Sequence, residues 1–118
     1  MRELKKIAIG GQMRPVHYGF ATLSEWCDLC GLTMADLAKI GDNMPLSTAI
    51  NMVYCGLKHG ARRSGIKKSE FKITFDDVAD WLDTDQKGMT DAMEIFSESM
   101  AHNIQSKEGK SKKEKGGK

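Results

Sequence analysis

Three cysteines and one histidine have the spacing closest to a chemical site in this 118-residue chain. Cys27 and Cys30 form a C-x-x-C pair, and Cys55 and His59 lie four apart, about one helical turn. Together they could supply three thiolates and one imidazole, a known structural zinc set. Zinc knuckles, however, usually set C-x-x-C in a tight turn, whereas both cysteines here fall on the apolar stripe of a helix. There a free thiol packs as a small hydrophobe. A thioredoxin-like redox pair needs a strand and then the motif at a helix start, and here the motif lies at a helix end. The expectation is therefore cysteines in the core, with no metal and no cofactor. A structural zinc module using Cys27, Cys30, Cys55 and His59 is the alternative.

Other chemistry finds less support. His17, His59 and His102 are scattered. Asp76, Asp77, Asp80, Asp83 and Asp85 lack the central Gly and late Glu of a calcium loop, and on a helix they spread along a solvated edge. Gly10-Gly11 is followed by neither G-x-x-G nor Lys-Ser/Thr, so it is not a phosphate loop. No catalytic residue is expected. Eight methionines are many for this length, and flexible thioethers suit adaptable binding surfaces. Met89, Met93 and Met100 either fill the core or, with Trp81, line a groove for a partner helix.

These residues need elements to hold them. Two short apolar runs around Gly10-Gly11 predict a β-hairpin, with Pro15 at an edge because it cannot donate to a ladder. A first helix fits 20–30, with Phe20, Leu23, Cys27 and Cys30 on one face, Trp26 beside it, and Gly31 as its stop. Thr33 and Asp36 form a capping pair that opens a short helix through Ile40. The stretch 46–60 is apolar around most of its circumference and reads as the central helix. Asn43 or Ser47 would cap its start, with Pro45 in the first turn, Lys58 and His59 near its negative pole, and Gly60 at its end. A polar connection over 61–72 carries Arg62, Arg63, Lys67 and Lys68, and is read as a solvated loop. Thr74 and Asp77 cap a fourth helix bearing Val78, Trp81 and Leu82. A last helix carries the stripe Met89, Ala92, Met93, Phe96, Met100 and Ile104. The fold class is mainly α: a small bundle of about five helices with a short N-terminal β-hairpin, one domain over 1–104, and a disordered Lys-rich tail over 105–118.

Composition narrows the function. From Gln105 to Lys118 six Lys and two Glu give a net of +4, leaving 12 basic and 14 acidic residues in the rest, a net of −2. A slightly acidic body argues against specific nucleic-acid binding, although a small helical nucleic-acid-binding regulator using the Lys tail stays as another alternative. No apolar run approaches a membrane span, and Ile7 to Ile9 is too short for a signal peptide. With an odd number of cysteines this implies reduced thiols in a cytoplasm.

The order of the pieces resembles the tail assembly chaperones of long-tailed bacteriophages. A hairpin precedes the Y-G-F-A-T-L start of a helix at Tyr18 to Leu23. Gly31-Leu32-Thr33 opens a small helix. The central helix carries Tyr54-x-Gly-Leu-Lys-His-Gly60, and Ile73-Thr-Phe-Asp-Asp-Val-Ala-Asp-Trp-Leu-Asp83 opens the fourth helix. The matches span roughly residues 7 to 104, and each alone is a packing or capping pattern. The resemblance implies a non-enzymatic protein of the infected host's cytoplasm. It would keep the tape measure protein soluble until tail tube protein polymerises around it, acting as a homo-oligomer on that client. It also implies a longer frameshifted product, for which the Lys-rich end suits A-rich slippery codons. The family offers no catalytic residues to carry over.

Overall fold

Gly10 and Gly11 take φ of 63° and 82°, the pair of positive angles that a two-residue hairpin turn demands. The turn joins strand β1 (Lys5–Ile9) to strand β2 (Gln12–Val16) in an antiparallel ladder running from Ile9↔Gln12 to Lys5↔Val16. The computed structural model describes residues 4–40 and 44–101. Ile7, Ile9 and Val16 lie on the inner face and are buried. Directly opposed pairs share a face, so Ala8 and Met13 stand together on the outer one, where Met13 is 60% exposed. Pro15 pairs with Lys6, and among the described residues no strand lies beyond β2, so its missing N–H costs no ladder bond.

Five helices follow among the described residues: α1 (Phe20–Cys30), α2 (Met34–Ile40), α3 (Leu46–Arg63), α4 (Phe75–Thr84) and α5 (Lys87–Met100). A 3-10 turn, Lys68–Glu70, interrupts the connection before α4. Gly31 ends α1 in the left-handed conformation at φ 68°. The two capping pairs form as the sequence implies. Thr33 Oγ1 accepts from Asp36 N and Asp36 Oδ2 from Thr33 N. Thr74 and Asp77 make the same reciprocal bonds at 3.1 and 3.0 Å.

The central helix α3 packs against α1, α4, α5 and strand β2. Met52, Val53 and Cys55 are fully buried on it, and Trp26 and Val78 reach it from α1 and α4. Phe96 of α5 meets Trp26 and Tyr18 edge to face, at centroid separations of 5.1 and 5.8 Å. The polar tips of those aromatics end on α3. Trp26 Nε1 donates to Thr48 O at 3.0 Å, and the Tyr18 hydroxyl donates to Met52 O at 2.9 Å. Both rings are thus buried without an orphaned donor.

Four expectations need correction. The central helix does not stop at Gly60 but runs on to Arg63, and a left-handed Gly65 follows it. Gly60 is needed for close approach: a Cβ there would meet the backbone of Pro15 and stand 2.6 Å from Val16 Cα. Gly56, one turn earlier, faces the Tyr18 ring, and its carbonyl accepts from His17 N at 3.1 Å. Gly56 and Gly60 thus form a smooth track on which the hairpin exit lies. The helix begins after Pro45 in the cap position, with no side-chain cap bond, so Ser47 does not cap it; Asn43 lies outside the described residues. The face of α1 is rotated. Thr22, Leu23 and Trp26 are buried, Cys27 and Cys30 are half-buried, and Phe20 is 60% exposed. Finally, Leu46, the first residue of the apolar stretch 46–60, is not buried with it but 69% exposed. Ile104, His102 and the segment 105–118 lie outside the described residues.

Candidate functional site

The cysteine–histidine set does not converge on a metal. Among the described residues no group of three or more His, Cys, Asp or Glu side chains is placed to hold one. His59, buried within the extended α3, is engaged on both ring nitrogens. Nε2 lies 2.8 Å from Glu25 Oε1, and Nδ1 is 3.1 Å from Arg62 Nε. A guanidinium can only donate, so Nδ1 accepts and Nε2 carries the hydrogen toward Glu25. The second Glu25 oxygen accepts from Lys58 Nζ at 2.6 Å. Burial pushes the Glu25 carboxyl up, but the bonds from Lys58 and His59 outweigh it and leave it below the ordinary value of 4.5. The cluster joins α1 to α3 across 33 and 34 residues of chain. Sequence spacing alone could not pair Glu25 with His59.

The thiols are poorly suited to nucleophilic work. Burial, and then the charge of Glu25, pushes Cys55 up to about 12. Burial and the neighbouring Asp28 raise Cys27. Cys30 Sγ accepts from Asn51 Nδ2 at 3.6 Å. A thiol held protonated at neutral pH is neither a ready nucleophile nor a ready ligand.

A second arrangement has the form of a binding surface. Trp81 of α4 stands half-buried against the hairpin turn, so close that a Cβ on Gly10 would fall 2.7 Å from its ring. Only glycine leaves room there. Arg14 crosses from β2 and stacks its guanidinium over the indole, 4.6 Å from the centroid. Its Nε donates to Ile9 O at 2.9 Å and an Nη to Gly10 O at 3.4 Å. Beside this stack opens a cleft of about 470 Å³, bordered by Ala8, Gly11, Met13, Trp81, Thr84 and Asp85. The outer pair Ala8 and Met13 supplies one apolar wall and Trp81 the other.

Met89, Met93 and Met100 occupy the shoulder of α5. All three are half-buried and pack against the core beside the fully buried Ala92 and Phe96. The structure therefore brings Trp81 to a cleft but leaves the three methionines at the core boundary. Met13, which no sequence pattern singles out, is the more accessible thioether. Its only signal is the strand alternation that opposes it to Ala8. No described helix is long and apolar enough to cross a membrane. No known family model, curated protein or solved structure matches the chain.

Proposed function

We propose that this chain is a non-enzymatic client-binding protein of the phage tail assembly chaperone kind. It holds the tape measure protein in the host cytoplasm, in several copies, until tail tube protein is recruited. One observation carries this reading: an aromatic and a thioether, Trp81 and Met13, face one open cleft on a small helical body. A long client helix with a bare apolar stripe aggregates in water, and a domain of this size covers only a few of its turns. Coverage therefore takes several copies, each with a weak cleft, and multivalency supplies retention.

Co-expression with the tape measure protein encoded by the same genome tests the reading. The client should stay soluble and co-purify with more than one copy of this chain. Met13 is exposed, so Met13→Asp should abolish rescue without altering the fold. A client that stays insoluble, or a complex with a single copy, refutes the chaperone assignment.

A further inference from the structure

The cleft carries information about the charge of its occupant. The segment 75–100, which builds α4 and α5, contains six Asp, two Glu and one Lys, a net of −7. Asp77 and Trp81 are spaced by four along α4 and so lie in one row, with Asp80 alongside, and Asp85, the extended residue that ends the helix, borders the cleft itself. Among the described residues the only ion pairs of this segment are Lys87–Asp91 at 2.8 Å and an exposed Lys5–Glu98 contact at 3.8 Å. Asp76, Asp77, Asp80, Asp83, Asp85 and Glu94 have no cation within ion-pair distance there. Among the described residues no cation lines the cleft, whose border includes the Asp85 carboxylate. Arg14 is held on the Trp81 indole by the ring and two carbonyls.

We infer that the cleft docks a cationic amphipathic helix, one whose apolar stripe meets Met13 and Trp81 while its flanking Lys or Arg face the carboxylates of α4. The inference rests on the client-binding reading and names the chemistry of the client segment. The apolar walls supply affinity. The carboxylates supply selection and encounter rate, because single exposed charge pairs are weak while a field of one sign steers. The tail 105–118 has the right charge but no apolar residue to fill the cleft, so it does not satisfy both requirements.

Three synthetic helical peptides test the inference on the full chain: Leu stripe with Lys flanks, Leu stripe with Glu flanks, and Ser stripe with Lys flanks. The Leu/Lys peptide should bind about 10-fold or more tighter than the Leu/Glu peptide, and the preference should shrink as salt rises to about 0.5 M. On its addition the Trp81 indole N–H resonance should move. Met13→Asp should weaken it about 10-fold, and D80K should reduce the Lys-over-Glu preference. Asp77 and Asp85 are left alone because they cap helices. Equal binding of the two Leu peptides overturns the inference, as does binding that leaves Trp81 unmoved. Equal binding of the Ser/Lys peptide overturns it in favour of a purely electrostatic occupant such as the tail. Self-association abolished by Met13→Asp, without peptide binding, assigns the cleft to a second copy. Rescue of the client without Leu/Lys binding would leave the chaperone reading standing and sink this inference alone. Binding without rescue would do the reverse.

Discussion

Replacing Gly60 by alanine sets two effects of opposite sign against each other. In an exposed helix the change should stabilise by about 1 kcal/mol, since glycine costs that much in a helix interior. Here the new methyl would stand 2.5 Å from the carbonyl carbon of Pro15 and 2.6 Å from Val16 Cα. Those are backbone atoms and cannot rotate away. The hairpin exit is also fixed one turn earlier by the bond from His17 N to Gly56 O, at 3.1 Å. Overpacking costs about 1–3 kcal/mol, and lifting the strand forfeits about 1 kcal/mol more for that bond. The balance is a net loss of roughly 1–3 kcal/mol, which for a domain of this size lowers Tm by roughly 5–20 °C. Gly88 is the control. It is also helical, but its Cβ would meet Ala8 O and Ile9 at 3.3 Å, a distance that a small shift relieves. Gly88→Ala should change Tm by only about 4 °C either way. Paired thermal melts read both variants. If Gly60→Ala raises Tm as an unhindered helix glycine would, the hairpin does not rest on α3 and the cleft it builds with Trp81 is lost with it.

Two further outcomes follow from titratable groups. The folded Glu25 lies below 4.5 and the folded His17 below 6.5, the latter through burial and then the charges of Arg63, Arg62 and His59. Both are depressed, so their stability is present above the unfolded values and is lost as pH falls through the folded ones. Melts should decline first below about 6.5 and more steeply below about 4.5, and Glu25→Gln should flatten the second limb. Cys55, raised from 9.0 to about 12, acts at the other end: stability should fall once pH exceeds 9.0, and Cys55→Ala should delay that fall. In thiol labelling of the native chain at pH 8, the half-buried Cys27 and Cys30 should react well before the fully buried Cys55. Equal rates for all three would refute the placement of Cys55, and a melt that drops several degrees in EDTA would revive the zinc alternative.

Most of the architecture was legible because its signals are local. Gly10-Gly11, Gly31 and the pairs Thr33/Asp36 and Thr74/Asp77 each act within a few residues, and each does in the structure what its chemistry implies. What escaped depends on partners distant in the chain. Gly60 reads as a helix stop until the backbone of Pro15 is laid against it. His59 reads as a dipole-facing cation until Glu25 arrives from α1. Thr22 is buried at a polar position because its hydroxyl donates to His17 O at 2.8 Å, which turns the face of α1 and leaves Phe20 at the surface. The candidate site was half legible. Trp81 stood out as a large apolar side chain among aspartates, but the cleft exists only because a hairpin tip from the opposite end of the chain closes on it.

The two tryptophans divide the molecule optically. Trp26 is fully enclosed and bonded to Thr48 O, whereas Trp81 is half-open with a guanidinium stacked on one face. An indole in an apolar enclosure emits toward the blue and is shielded from dissolved quenchers, while one bordering water emits toward the red and is reached by them. The protein thus carries two intrinsic lamps, one reporting on the core and the other on the cleft. Their separate extinction distinguishes loosening of the hairpin tip from loss of the whole fold, without any added label.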